Sequence, residues 1–262
     1  MQQVSRLIEI MKRLRDPEGG CPWDREQVLA SILPYTFEEL YELAEAIDGD
    51  DSDAIRDELG DLLFHVVFYA RIGEEAGRFD LSAVAGAIAD KLERRHPHVF
   101  GDAEMPDSAG QERAWERLKA AERGDTPTGA VLAGISHAQP ALIRAMKLQR
   151  RAATVGFDWP VIEPVLEKLE EEVAELREAV LAGAGPQATG SELGDILFAA
   201  VNCARHLGID PETALRQCNA RFEQRFARVE DELRRRGRSV EEATLEEMED
   251  CWQLAKSVPG DP

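Results

Sequence analysis

The chain has 262 residues, 44% of them hydrophobic, and a formal net charge of −20. This length accommodates one large or two modest domains. The acidic balance argues against a nucleic acid polymer or an anionic membrane as partner, because both attract basic surfaces.

The composition also predicts the compartment. No apolar run approaches the roughly 20 residues that span a bilayer, and the first segment, "MQQVSRLIEIMKRLRD", is amphipathic and lacks a signal-peptide core. The cysteines at positions 21, 203, 218 and 251 form no CxxC pair. We therefore expect reduced thiols in a cytoplasmic protein that has no membrane partner.

Segments in the first half of the chain recur in the second half. "EELYELAEAI" at 38–47 returns as "EEVAELREAV" at 171–180, and "ELGDLLFHVVFYAR" at 58–71 returns as "ELGDILFAAVNCAR" at 192–205. Later matches pair Lys91, Arg95, Val99, Trp115 and Lys119 with Arg221, Arg225, Val229, Trp252 and Lys256. The repeat predicts two similar domains, 1–123 and 130–262, joined by a polar linker at 124–129.

Each copy has the periodicity of successive helices, and no alternating strand pattern is present. The predicted helices of the second copy cover about 161–182, 191–207, 211–236 and 244–257. "GAGPQATG" at 183–190 separates the first two, and Asp210-Pro211 is typical of a helix start. The predicted fold is an all-α tandem repeat of two four-helix domains.

The acidic helices carry paired carboxylates. Glu172 and Glu175 share a helix face, and so do Glu192 and Asp195, which lie in nearly continuous apolar sequence. Carboxylates converging from two antiparallel helices would repel one another unless a cation lay between them. Oxygen-only ligands favour Mg²⁺ or Mn²⁺ over zinc.

Two alternatives to a magnesium site compete at this point. Glu192 and Asp195 could pair with buried arginines, although both copies keep E-E-x-x-E followed by E-x-x-D. A di-iron bundle would use Glu-x-x-His pairs, and Glu93 and His96 have that spacing. The second copy lacks the histidine and Pro97 follows at once, so a histidine at a helix end is the better interpretation.

Basic and aromatic residues recur beside the carboxylate motif. Arg221 and Arg225 are four apart, Trp252 and Lys256 are four apart, and Lys168 precedes Glu172 by one turn. Guanidinium and ammonium groups suit a polyphosphate, and an indole suits a base. Taken singly, the two arginines could pair with acidic neighbours, Trp252 could be part of the core and Lys168 could be solvated, but together these residues favour a nucleotide.

The duplicated carboxylate motif, with "GGCPWDREQ" at 19–27 and "PYTFEELYE" at 34–42, closely resembles the MazG family of nucleoside triphosphate pyrophosphohydrolases over essentially the whole chain. The resemblance implies a Mg²⁺-dependent, all-α enzyme, usually a homodimer. It would cleave many ribo- and deoxyribonucleoside triphosphates, ATP among them, between the α- and β-phosphates. The products would be nucleoside monophosphate and pyrophosphate, which suits a house-cleaning role.

The resemblance also implies roles for individual residues. Glu172, Glu175, Glu192 and Asp195 would bind the metal, and Glu171 would orient or deprotonate the attacking water. The residues that would hold the nucleotide are Lys168, Arg221, Arg225, Trp252 and Lys256.

The first copy retains its carboxylates but departs from this pattern elsewhere. It could hold a second metal through Glu39, Glu42, Glu58 and Asp61, with Glu38 matching Glu171. Tyr35 stands where Lys168 stands in the second copy, which removes a positive charge. Lys91 replaces Arg221, which keeps the charge but loses the planar N–H donors of a guanidinium. We therefore predict that the C-terminal copy carries turnover and that the N-terminal copy is weak or structural.

Two other functions compete with the broad pyrophosphohydrolase. One is a narrower enzyme of the same chemistry, a dUTPase or a phosphoribosyl-ATP pyrophosphohydrolase. The other is a non-catalytic helical regulator that senses nucleotides. A substrate panel separates the enzymes, and pyrophosphate release separates either of them from the regulator.

Overall fold

The computed structural model describes residues 2–101 and 130–257, and within these residues every regular element is a helix. The all-α prediction is confirmed. The chain forms two compact units, Met1–Gly124 and Asp125–Pro262. The predicted linker at 124–129 and the predicted repeat partners Trp115 and Lys119 lie outside the described residues.

The first unit is built on a pair of long helices joined by a short turn. Asp51 ends that turn, and its side chain accepts hydrogen bonds from the backbone N–H groups of Asp53 and Ala54 at the start of the second long helix. The helices of this unit are α1 (Gln2–Leu14), α2 (Pro22–Glu26), α3 (Leu29–Asp48), α4 (Ser52–Glu75), α5 (Leu81–Arg95) and α6 (Pro97–Phe100).

Helices α1, α3 and α4 enclose the core of the first unit, which contains Met11, Ile32, Val67 and Phe68. Arg15, just after α1, donates to both carboxylate oxygens of Glu75 at the end of α4, and its guanidinium lies 5.4 Å from the centre of the Phe68 ring. This buried arginine also donates to the backbone carbonyls of Asp24 and Gln27. It thereby joins three segments and holds the base of the α3–α4 pair.

The second unit has the same helical pair. Gly183, with φ of +67°, ends the first helix of the pair in a left-handed turn, and Pro186 begins the next. The helices of this unit are α7 (Ala141–Ala153), α8 (Glu163–Leu181), α9 (Pro186–His206), α10 (Pro211–Arg235) and α11 (Leu245–Lys256). Helix α8 packs on α9, α7 packs on α9 and α10, and α10 packs on α11.

The predicted helices of the second copy are present with one shifted boundary and one addition. Helix α9 begins at Pro186 and not near 191, because a proline at the first helical position needs no backbone hydrogen bond and can start the helix within the "GAGPQATG" segment. Helix α7 precedes the segment in which helices were predicted. Among the described residues, no helix is long and apolar enough to cross a membrane.

Candidate metal and nucleotide site

Three carboxylates meet where α8 packs against α9. Glu172 of α8 and Glu192 and Asp195 of α9 each offer an oxygen, and these oxygens lie within 4.8 Å of one another. Glu172 is buried, with 7% of its surface exposed, whereas Glu192 is half-buried and Asp195 is exposed. We call these three residues the C-terminal cluster.

The heptad spacing of the two helices explains this convergence. Seven residues make almost two helical turns, so Glu172 continues the face of buried Val165, and Asp195 shares a face with buried Asn202. Glu192 stands in the same relation to Ala199 on α9. The carboxylates therefore lie on the faces along which α8 and α9 pack, toward the more exposed end of that contact.

Lys168 contacts this cluster directly. Its Nζ atom lies 2.9 Å from Oε1 of Glu172 and 3.0 Å from Oε1 of Glu171. Hydrogen bonds to Glu172 and Glu171 raise the pKa of Lys168 above its usual range, so the ammonium stays charged at neutral pH. The i,i+4 spacing of Lys168 and Glu172 could have indicated this ion pair, but only a solvated or a phosphate-binding lysine was predicted from the sequence.

Glu175, the fourth predicted metal ligand, is not part of the three-oxygen group. Its side chain is exposed on the next turn of α8. Desolvation and the charge of Glu172 raise the pKa of Glu175 above its usual range, with a smaller contribution from Glu192. Glu175 therefore lies near enough to interact electrostatically with the cluster, and its role as a ligand stays a prediction.

The first unit repeats the arrangement with Glu39 of α3 and Glu58 and Asp61 of α4, whose oxygens also lie within 4.8 Å of one another. We call these three the N-terminal cluster. Burial and the charges of Asp61 and Glu42 raise the pKa of Glu39. Glu42 itself, like Glu175, is exposed and outside the three-oxygen group.

The neighbours of the two clusters differ. At the position matching Lys168, the Tyr35 ring packs edge-on against Trp23, with 5.8 Å between ring centres. The ion pairs within residues 2–101 do not include Glu39, Glu58 or Asp61. Within residues 2–101, the N-terminal cluster therefore has no counter-ion equivalent to Lys168.

Apart from Lys168 on α8, the predicted nucleotide-binding residues lie on α10 and α11. Arg221 and Arg225 are half-buried on α10, and Lys256 is exposed at the end of α11. Trp252 packs against Phe222, 5.2 Å between ring centres, and borders the apolar core of α10 and α11. Trp252 therefore has a packing role, and contact of these four residues with a nucleotide stays a prediction.

The alternatives to a magnesium site find little support. The ion pairs within residues 130–257 do not include Glu192 or Asp195, which disfavours buried arginine partners. His96 caps the end of α5, and its Nδ1 atom lies 2.7 Å from the Leu92 carbonyl oxygen. It is thus the predicted helix-end histidine.

The donor set fits a hard divalent cation. Three carboxylates share a small volume in each unit, and oxygen ligands of this kind suit Mg²⁺ or Mn²⁺. Burial of Glu172 and Glu39 strengthens electrostatic interactions at the site, because a lower effective dielectric weakens screening. The arrangement can therefore bind a cation that in turn recruits an anionic ligand.

Comparison with known proteins identifies relatives of this chain over most of its length. The chain is 49% identical to the nucleoside triphosphate pyrophosphohydrolase of Escherichia coli (strain K12), over 98% of each chain. It is 43% identical to the nucleoside triphosphate pyrophosphohydrolase/pyrophosphatase MazG of Thermotoga maritima, over 95% of this chain and 94% of the relative. It is also 41% identical to the uncharacterized protein YabN of Bacillus subtilis, covering 98% of this chain and 52% of YabN.

The MazG nucleotide pyrophosphohydrolase domain matches the chain twice, at residues 27–100 and 162–229. These segments contain the N-terminal and the C-terminal carboxylate clusters, respectively. Two matched copies and near-complete coverage of relatives lead to one conclusion: the chain belongs to the MazG nucleotide pyrophosphohydrolase family.

Proposed function

We propose that this protein hydrolyses nucleoside triphosphates between the α- and β-phosphates and releases nucleoside monophosphate and pyrophosphate. The observation that carries the proposal is the convergence of Glu172, Glu192 and Asp195 beside the Lys168 ammonium. Full-length similarity to proteins named nucleoside triphosphate pyrophosphohydrolase supports it. The reaction needs both charge neutralisation and a positioned water molecule.

Within this proposal, Glu172, Glu192 and Asp195 hold Mg²⁺, with Glu175 completing the set and Mn²⁺ able to substitute. The ion, when bound, neutralises charge on the polyphosphate and polarises the phosphate that is attacked. Glu171 lies next to Glu172 and shares its lysine, so it orients the attacking water or accepts its proton.

The basic residues bind the other parts of the substrate. Lys168, Arg221 and Arg225 contact phosphate oxygens, because ammonium and guanidinium groups form strong, charge-assisted hydrogen bonds with them. Trp252 stacks on the base, and Lys256, one turn later, contacts the phosphates. An indole accepts any base, which supports broad use of ribo- and deoxyribonucleotides, ATP included, and a role in clearing the nucleotide pool.

The proposal also covers assembly and compartment. Large apolar side chains are exposed on both units, among them Val84, Ile88 and Leu92 on α5, and a second copy would cover them in a homodimer. All four cysteines carry free thiols, which supports a reducing cytoplasm. The N-terminal unit contributes mainly structure.

Product analysis tests this function. The protein is incubated with a panel of nucleoside triphosphates, with Mg²⁺ or with EDTA, and the products are separated by chromatography. Monophosphate with pyrophosphate, abolished by EDTA, is the expected result. Diphosphate with orthophosphate would show cleavage between the β- and γ-phosphates and would contradict the proposal. Turnover of dUTP or phosphoribosyl-ATP alone would favour the narrower enzymes. Nucleotide binding without turnover would favour a regulator.

A further inference from the structure

Lys168, a lysine on the same helix as Glu172, forms an ion pair with the C-terminal cluster. The Lys168 ammonium lies 2.9 Å from Oε1 of Glu172, the most enclosed carboxylate of the cluster, whose side chain is 9% exposed. The same ammonium also contacts Glu171 at 3.0 Å. One positive charge is thus hydrogen-bonded to a carboxylate that is proposed to hold a divalent metal.

The N-terminal cluster provides the natural comparison. Its three oxygens converge within the same 4.8 Å limit. Tyr35 occupies the position of the lysine. Among the described residues, the two clusters therefore match in their carboxylates but differ in whether a lysine on the same helix contacts them.

We propose that Lys168 is a built-in counter-ion that competes with free divalent metal for the C-terminal cluster and withdraws when a triphosphate arrives. This inference rests on the proposed function, since it assumes that the cluster binds metal. Free metal would have to displace the ammonium from Glu172 or bind beside it against charge repulsion. Phosphate oxygens offer the ammonium alternative acceptors, and so they release Glu172.

Two consequences follow from this competition. Metal and triphosphate bind the C-terminal unit cooperatively, and by linkage each raises the affinity of the other by the same factor. The N-terminal cluster, which has Tyr35 at the position of Lys168, binds free metal more tightly than the C-terminal cluster does. Lys168 thus determines that the active unit takes up its metal together with substrate.

The test measures Mn²⁺ binding to the full chain without nucleotide, from the loss of the free Mn²⁺ paramagnetic resonance signal. Glu58→Gln with Asp61→Asn silences the N-terminal cluster, so that only the C-terminal one is measured. In that background, Lys168→Met is expected to raise Mn²⁺ affinity by about tenfold or more, because it removes a positive charge a few ångströms away.

The reciprocal change adds a cation to the other unit. With Glu192→Gln and Asp195→Asn silencing the C-terminal cluster, Tyr35→Lys is expected to lower Mn²⁺ affinity at the N-terminal cluster by about tenfold. Arg234→Met is the matched control, because Arg234 also forms an i,i+3 ion pair, with Asp231, on an exposed helix face. It should leave both affinities unchanged, and circular dichroism verifies folding.

The outcomes separate this inference from the proposed function. Equal Mn²⁺ affinity with and without Lys168 would overturn the inference, even if the native protein releases pyrophosphate. A tenfold gain in Lys168→Met supports it, even if product analysis finds no turnover and the proposed function fails. Lys168→Arg, which keeps the charge, should retain weak metal binding; a gain as large as that of Lys168→Met would also overturn the inference.

Discussion

Glu172 is the most enclosed member of its cluster, and Glu39 is its counterpart in the first unit. If turnover belongs to the C-terminal unit, Glu172→Gln should lower kcat/KM for a nucleoside triphosphate by about 100-fold or more. Loss of a metal ligand removes several kcal/mol of transition-state stabilisation, and each 1.4 kcal/mol changes the rate about tenfold. Glu39→Gln should leave the rate within about threefold of the native value.

The control for this pair is Glu178→Gln, an exposed glutamate on the same helix, α8, outside the cluster. It should behave as the native protein in the same steady-state assay of pyrophosphate release. A large loss in Glu39→Gln, with Glu172→Gln unaffected, would transfer the active site to the first unit.

Asp158 offers a pH-dependent test of the second unit. Its carboxylate accepts hydrogen bonds from both terminal nitrogens of Arg205 near the end of α9, with 2.9 Å to Nη1. These bonds lower the pKa of Asp158 below its ordinary value of 3.8, so the folded state binds this proton less readily than the unfolded chain. The stabilisation is complete above that ordinary value and is lost as pH falls through the lower, folded pKa.

We therefore expect Asp158→Asn to lower the melting temperature at neutral pH and to differ less from the native protein as pH falls from about 5 to about 3. Thermal unfolding followed by circular dichroism measures the difference at each pH. If the difference in melting temperature stays constant down to the lowest pH, the charge of Asp158 does not stabilise the segment between α7 and α8. Glu242→Gln, an exposed acid near the start of α11, is the control.

At the scale of elements, the repeat in the sequence predicted the helices that carry the clusters. The i,i+3 carboxylate spacing and apolar runs identify α3, α4, α8 and α9, because a helix face is a local property. Helix α7 was not predicted, although Leu142, Ile143, Met146 and Lys147 repeat the spacing of Leu7, Ile8, Met11 and Lys12 in α1. The contact of Arg15 with Glu75 was also beyond prediction, because it joins residues 60 positions apart and depends on the tertiary packing of α1 on α4.

That Arg15 contact leads to a prediction about stability. Arg15 is 8% exposed and joins the end of α1 to α2 and to α4, so Arg15→Met would remove its hydrogen bonds to two backbone carbonyls and leave Glu75 with Arg71 as its only other cation among the described residues. We expect the first unit to lose about 3 kcal/mol of unfolding free energy, as is usual when one partner of a buried ion pair is removed.

Urea unfolding followed by circular dichroism measures this loss as a lower urea concentration at the midpoint of the transition of the first unit. Lys12→Met is the control: its exposed ion pair with Glu9 is worth less than about 1 kcal/mol. Equal effects of the two substitutions would show that the buried arginine does not anchor α1 and α2 to α4.

At the scale of the whole molecule, the net charge of −20 must be reconciled with a polyanionic substrate. A triphosphate meets long-range repulsion, although screening limits this to about 8 Å at physiological salt. Local cations must therefore provide the attraction. Lys168, Arg221 and a metal carried by the substrate would do so, and this is consistent with uptake of metal and nucleotide together.

The exposed apolar surface gives the last prediction. Val84, Ile88 and Leu92 follow one another at intervals of four along α5, with 37%, 48% and 44% of their surfaces exposed. A stripe of this kind is costly to leave in water, and a second copy could cover it through a symmetric contact. We expect sedimentation velocity to give a dimer for the native protein and a predominantly monomeric species for Ile88→Glu, because a charge would be buried without a partner. Gly86→Glu, on the opposite face of α5 where an added Cβ meets no atom within 4 Å, should remain dimeric. A native monomer, or a dimer that tolerates Ile88→Glu, would show that α5 is not the interface.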